Sequence, residues 1–113
     1  MSRFKYKFIP LFTAILFIII HAQYSYSAYN ISLPFSLSWE GNNESDLAFY
    51  TVYYGTSSRN YTHFVDESKD HAYHDFLEGQ LTPGETYYIT VTATDYSLNE
   101  SGYSIELGVF IEP

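Results

Sequence analysis

A proline-glycine turn, Leu81-Thr82-Pro83-Gly84-Glu85-Thr86-Tyr87, leads directly into the strand pattern Tyr88-Ile89-Thr90-Val91-Thr92-Ala93-Thr94. Aromatic or aliphatic residues alternate with threonine along this strand, which is typical of a sheet with one buried and one wet face. Tyr87 stands where a tyrosine corner would place its ring, with the hydroxyl bonded to the backbone just upstream. The segment predicts an all-β sandwich, with Tyr88, Thr90, Thr92 and Thr94 facing outward.

Short alternating runs separated by turn residues continue on both sides of this segment. They predict strands near 29–33, 35–39, 49–54, 61–65, 72–76, 87–94 and 103–111, with loops at 40–46 and 66–70. Seven short strands at this spacing are typical of a β-sandwich. The residues expected to form its structural core are Leu37, Trp39, Tyr50, Val52, Tyr54, Leu81, Pro83, Gly84, Tyr87, Ile89 and Val91.

Four motifs in order resemble a fibronectin type III domain of the kind found in bacterial exported proteins. They are Leu37-x-Trp39, Tyr50-x-Val52-x-Tyr54-Gly55, Leu81-x-Pro83-Gly84-x-x-Tyr87 and Val91-x-Ala93-x-Asp95. The resemblance covers residues 30–113 and implies a seven-stranded, immunoglobulin-like Greek-key sandwich without disulfides, with Trp39 at its centre and Tyr87 as the corner tyrosine. Two positions depart from the family pattern, because Arg59 and Leu98 stand where turn glycines are more usual.

The N-terminal 27 residues have the pattern of a secretory signal peptide. Three basic residues precede an apolar run from Phe8 to Ile20, which at about 13 residues is shorter than the roughly 20 that a membrane-spanning helix needs. We expect cleavage after Ser27, or alternatively after Ala22, and a folded domain over 28–113; retention as an uncleaved anchor is the competing interpretation. The expected location is periplasmic or extracellular.

The charge of the predicted mature domain limits its partners. Residues 28–113 retain two basic residues, Arg59 and Lys69, against 13 acidic ones, which gives a net charge of −11. Such a surface repels nucleic acid and anionic headgroups, so neither nucleic acid nor membrane is expected as a partner after signal cleavage. The chain contains no cysteine, which excludes disulfides and a lipid-modified N-terminal cysteine.

No pattern in the sequence indicates catalysis or a cofactor. A thiol is absent, no serine stands in a nucleophile-elbow setting, and no glycine-rich loop could hold a phosphate. His71 and His74 are interpreted as ordinary surface histidines, because residues three apart on a strand point to opposite faces. The acidic residues of the end loops, such as Glu44, Asp46 and Glu100, lack the regular spacing of calcium-binding loops.

Outward-facing tyrosines are the remaining candidates for function. The chain has 13 tyrosines, and exposed tyrosine is common in recognition surfaces. Tyr53, Tyr88 and Tyr96, together with the end loops, are predicted to bind a protein or polysaccharide partner, and Tyr61 and Tyr103 are further candidates nearby. Two functions stay open: an exported binding module, or a structural spacer without a ligand of its own, in which cross-strand tyrosines only stabilise the sheet.

Overall fold

The computed structural model describes residues 2–5 and 28–113, and in the first of these ranges only the backbone. This part of the chain contains eight strands and no helix: β1 (Ser2–Lys5), β2 (Tyr29–Ile31), β3 (Phe35–Ser38), β4 (Leu47–Gly55), β5 (His63–Ser68), β6 (Tyr73–Phe76), β7 (Thr86–Asp95) and β8 (Leu107–Ile111). A helix with the length and apolarity to cross a membrane is thus not found here. The apolar run of the predicted signal peptide and both of its cleavage sites lie outside the described residues.

The strands form two sheets, which confirms the all-β class. One sheet has the order β1-β3-β6 and the other the order β2-β8-β7-β4-β5. The β1–β3 and β2–β8 pairs are parallel, while the remaining neighbours are antiparallel. The chain passes between the sheets from β2 to β3, from β3 to β4, from β5 to β6 and from β6 to β7. Buried residues of both sheets belong to one hydrophobic core.

The core follows from the alternation along the strands. Tyr50 and Val52 on β4 and Ile89 and Val91 on β7 are fully buried. Trp39 packs edge-on against Tyr50, with ring centroids 5.4 Å apart. Of the predicted core residues, those buried in the structure are Leu37, Trp39, Tyr50, Val52, Leu81, Tyr87, Ile89 and Val91.

Two residues placed in the core by the sequence pattern lie elsewhere, and a third is only partly buried. Tyr54 is half-buried and packs against the core, with its ring 5.4 Å from that of the buried Phe76 and stacked on His63 at 5.2 Å. Pro83 and Gly84 are exposed, since they form the tip of a turn between the sheets. Gly84 has φ +86° and follows Pro83, which is the arrangement of a type II turn closed by the Glu85 amide and the Thr82 carbonyl at 3.3 Å.

The predicted hydrogen bond of the tyrosine corner is present. The Thr82 backbone N–H donates to the Tyr87 hydroxyl oxygen at 2.9 Å. The Gly84 amide donates to the Ile111 carbonyl at 2.7 Å, so the turn is also attached to the end of β8. Together these bonds fix where β7 begins and therefore which of its side chains face inward.

The outer face of β7 is less exposed to solvent than the sequence pattern predicts. Thr90, Thr92 and Thr94 face away from the core, yet all three are buried. They are covered by residues 96–106, which run beside β7 and which we call the flanking segment. β8 begins after this segment at Leu107, four residues later than predicted. The Ser101 and Ser104 amides donate to the Ala93 and Val91 carbonyls at 2.8 and 3.0 Å.

Other boundaries differ from the sequence pattern by a few residues. β4 already begins at Leu47, and β5 continues to Ser68, into the segment predicted to be a charged loop. Asp66 and Glu67 on β5 oppose Thr51 and Tyr50 on β4. This extension places the Asp66 side chain on the outer face of the larger sheet, where it contacts Thr51.

Candidate functional site

Four aromatic rings form one cluster on the outer face of the larger sheet. The Tyr53 ring on β4 lies 5.3 Å from that of Tyr103, 6.3 Å from that of Tyr61 and 6.1 Å from that of Phe64 on β5. The Tyr61 and Tyr103 rings meet edge to face at 5.2 Å. We call these four residues the aromatic cluster.

The tyrosine hydroxyls of the cluster are bonded to carboxylates of the chain itself. Tyr53 donates to Glu100 at 2.5 Å, and Tyr61 donates to Glu106 at 2.6 Å. Burial and then the hydrogen bond and charge of Glu100 raise the pKa of Tyr53 above its ordinary value of 10.0. The Tyr53 hydroxyl therefore stays protonated and remains a donor to Glu100.

Glu106 also holds the loop between β4 and β5. Its carboxylate accepts hydrogen bonds from the Ser58 hydroxyl at 2.6 Å and from the Arg59 amide at 2.8 Å. Arg59 has φ +62°, a left-handed conformation that is unusual for a residue with a side chain. Arg59, which stands where a turn glycine is more usual, thus lies in a loop that the Glu106 carboxylate joins to the flanking segment.

An open groove of about 290 Å³ lies beside the cluster, along β4. Its lining residues are Phe49, Thr51, Tyr53, Phe64, Asp66, Thr94, Leu98 and Glu100. Phe64 and Leu98 are the most exposed apolar residues of this lining, with 69% and 75% of their surface accessible to solvent. We call this feature the acidic groove, because two of its walls are carboxylates.

Leu98 reaches the groove through a strained turn. It has φ +66°, and its amide donates to the Asp95 carbonyl at 3.0 Å. The Asp95 side chain accepts from the Ser97 and Asn99 amides at 3.0 and 2.8 Å, and the bonds from Asn99 are the main cause that lowers the pKa of Asp95. The Leu98 backbone is thus held in a conformation that leucine rarely adopts, with the side chain in solvent.

Among residues 28–113, the three predicted binding tyrosines do not form one cluster of contacting rings. Tyr53 lines the acidic groove, and Tyr88 lies on the same face of the sheet, half-buried and two residues away in register, opposite Gly55. Tyr96 is 64% exposed at the start of the flanking segment, with the Lys69 ammonium 5.8 Å above its ring. Among the described residues, no ring contact joins Tyr88 or Tyr96 to the aromatic cluster.

Sequence reasoning missed the residues that shape the groove. Phe64 and Asp66 alternate with the inward Val65, but their strand was expected to end before Asp66. The sequence places Glu100 only among the acidic residues of the end loops, whereas in the structure it accepts hydrogen bonds from Tyr53 and from the Thr92 hydroxyl at 2.7 Å. Its role depends on the path of the flanking segment, which no alternation in the sequence indicates.

The histidines and acidic loops of residues 28–113 do not converge into a metal site. His74 is not a surface histidine, because its side chain is 12% exposed and its ring Nδ1 lies 2.5 Å from Glu67 across the two sheets. The Asp95 carboxylate is occupied by backbone amides of its own turn. Within residues 2–5 and 28–113, no group of three or more histidine, aspartate or glutamate side chains could hold a metal ion.

In comparisons with known proteins, no protein-family model, curated protein or solved structure matches this chain.

Proposed function

We propose that this protein is a non-catalytic exported binding module that captures a protein or polysaccharide partner through the acidic groove and the aromatic cluster. The observation that carries the proposal is the exposure of Phe64 and Leu98 across a concave strip of the sheet. Apolar side chains held open to solvent around a groove are typical of interaction sites. Export is part of the proposal and follows from the N-terminal signal pattern.

We also propose that the sandwich is of the fibronectin type III kind. Support comes from the seven strands of residues 28–113 in two sheets, from the connections that pass between the sheets, and from the Tyr87 hydroxyl bonded to the Thr82 amide. In such sandwiches the binding residues lie on loops and strand faces that the rigid core positions. The flanking segment and the loop after β4 have that relation to the core here.

The rigidity of the site favours binding over a spacer role. Glu106 and Glu100 each accept from a tyrosine of the cluster, so the rings have few alternative positions. A surface that is already ordered loses little conformational entropy when a partner binds. A spacer would have no need of exposed apolar walls beside such an ordered surface.

Affinity capture from the host's exported fraction tests the proposal. The full chain is expressed, and the exported form is immobilised as wild type, as Phe64→Ala and as Leu77→Ala. Leu77 is an exposed apolar residue outside the groove and serves as the matched control. We expect a partner that Leu77→Ala retains and that Phe64→Ala loses, with both variants melting like the wild type. Equal capture by all three proteins, or capture of nothing by the wild type, would favour the spacer.

A further inference from the structure

The acidic groove contains two carboxylates with acceptor capacity left over. Asp66 Oδ1 accepts from the Thr51 hydroxyl at 2.8 Å, and Glu100 Oε2 accepts from the Tyr53 and Thr92 hydroxyls. Within residues 28–113, no hydrogen bond uses Asp66 Oδ2 or Glu100 Oε1. Each carboxylate is therefore held by one oxygen while the other stays available to a ligand.

Within residues 28–113, no lysine or arginine side chain neutralises these two charges. Arg59 and Lys69 are the only lysine or arginine residues after position 28, and neither lines the groove. The Lys69 ammonium lies over the Tyr96 ring instead, and Arg59 lies in the loop held by Glu106. Since the domain carries a large excess of acidic residues, the groove attracts positive charge from outside.

The apolar walls of the groove can pack against the hydrocarbon stem of a lysine or arginine side chain. Phe64 and Tyr53 face the groove with their rings 6.1 Å apart and tilted by 41°, and Leu98 and Phe49 add apolar surface. Lysine and arginine have apolar stems that pack on such walls, and their charged heads bind favourably near aromatic faces. Sugars need hydrogen-bond donors as well as acceptors, but the Tyr53, Thr51 and Thr92 hydroxyls already donate to the two carboxylates.

We propose that the acidic groove binds a lysine or arginine side chain on an exposed basic segment of a partner protein, with Asp66 and Glu100 contacting the cationic head and Phe64 and Leu98 the stem. This rests on the proposed binding function and names the partner chemistry. Charge complementarity identifies the occupant, because the groove supplies two negative charges that nothing in residues 28–113 pairs with. Side-chain recognition by a fixed carboxylate pair adds specificity to the steering by the overall charge.

An NMR titration of the full chain, in its exported form, tests this proposal. The probes are a short peptide with three lysines, its arginine counterpart and its glutamate counterpart, together with a neutral glucan oligosaccharide. We expect the basic peptides alone to shift the amide signals of Phe64, Asp66, Leu98 and Glu100. Binding should weaken as NaCl rises from about 50 mM to about 500 mM, because salt screens partly exposed charges.

Isosteric variants separate the groove from the overall charge. Asp66→Asn combined with Glu100→Gln keeps acceptors for Thr51, Thr92 and Tyr53 but removes both charges, and should weaken lysine-peptide binding about tenfold. Glu78→Gln combined with Glu85→Gln removes the same charge from exposed positions outside the groove and should leave binding within about twofold.

The outcomes distinguish this proposal from the general binding function. Equal loss in both double variants, or no shift at the groove with the basic peptides, would overturn the cationic-ligand proposal. Shifts at the groove with the glucan alone would overturn it too, yet would leave the binding function standing. If partner capture is also unaffected by Phe64→Ala, the binding function fails with it.

Discussion

Tyrosines on the two faces of the larger sheet bond to different kinds of group. On the inner face, the hydroxyls of Tyr50 and Tyr87 accept hydrogen bonds from the backbone amides of Asn42 and Thr82, at 2.8 and 2.9 Å. On the outer face, the hydroxyls of Tyr53 and Tyr61 donate to carboxylates. The inner tyrosines therefore tie loops to the core, whereas the outer ones fix the positions of negative charges at the surface.

This difference separates stability from recognition within one sheet. The inner rings are buried by their neighbours, and their hydroxyls satisfy amides that would otherwise lose hydrogen bonds. The outer cluster keeps part of its ring surface open, with Tyr103 about half exposed. Substitutions on the inner face should change the free energy of unfolding, and substitutions at the open edge of the outer face should mainly change binding.

The largest expected effect is the loss of the inner Trp39 ring. Trp39→Ala should lower the free energy of unfolding by about 3–5 kcal/mol, because it removes a buried ring that packs on Tyr50 and leaves a cavity. Phe64→Ala removes an exposed ring and should cost less than about 0.5 kcal/mol. Urea unfolding of both variants measures these two free-energy changes. Comparable losses of stability would mean that the outer face contributes as much to folding as the core.

The second prediction concerns Glu106, which connects the outer face to the loop after β4. Glu106→Ala removes acceptors for Ser58, Arg59 and Tyr61 and should cost about 1–2 kcal/mol, since hydrogen bonds to charged groups are stronger than neutral ones but these are partly exposed. Amide hydrogen exchange near residues 57–61 should accelerate. Glu78→Ala, an exposed glutamate elsewhere, is the control and should change neither quantity.

The inner face could be predicted from the sequence because it follows a period of two. Once Trp39, Tyr50 and Tyr87 were assigned inward, the alternation placed Val52, Ile89 and Val91 correctly, and the proline-glycine turn indicated the corner bond. These features depend on neighbours along the chain and on a common rule of strand geometry.

The outer face could not be predicted in the same way. Alternation placed Thr92 outward but gave no sign that Glu100 would bond to it, because the flanking segment follows an irregular path beside β7. That path depends on Leu98 adopting a left-handed conformation and on serine side chains such as Ser101, which accepts from the Ala93 amide at 2.9 Å. Non-repeating contacts of this kind leave no periodic pattern in a single sequence.

The third prediction compares one hydroxyl on each face. Tyr87→Phe leaves the Thr82 amide without its acceptor and should cost about 1 kcal/mol, without affecting the groove. Tyr53→Phe should have a similar or smaller cost, but it releases Glu100 from one of its two donors and should alter binding of the lysine peptide. A variant pair in which Tyr87→Phe changes peptide affinity and Tyr53→Phe does not would contradict the separation of the two faces.

The smallest predicted effect is the pH dependence of stability that comes from Tyr53, which can be measured only in alkaline solution. The pKa of Tyr53 is raised in the folded protein, chiefly by burial and then by Glu100, so the folded state keeps this proton at pH values where the unfolded chain has lost it. The contribution of Tyr53 to stability is therefore complete below about pH 10 and falls as the pH rises beyond it, because the unfolded state then binds fewer protons. Tyr50 and Tyr54, whose pKa values burial also raises, add to the same decline.

Urea unfolding between about pH 8 and pH 11 measures this decline. Tyr53→Phe should show a shallower loss of stability above about pH 10 than the wild type, whatever its stability at neutral pH. Leu77→Ala, the control at an exposed position, removes no titrating group and should keep the wild-type slope. Equal slopes in all three proteins would mean that the pKa of Tyr53 is not raised in the folded state, either by burial or by Glu100, and the hydrogen bond that positions the Glu100 carboxylate would lose this support.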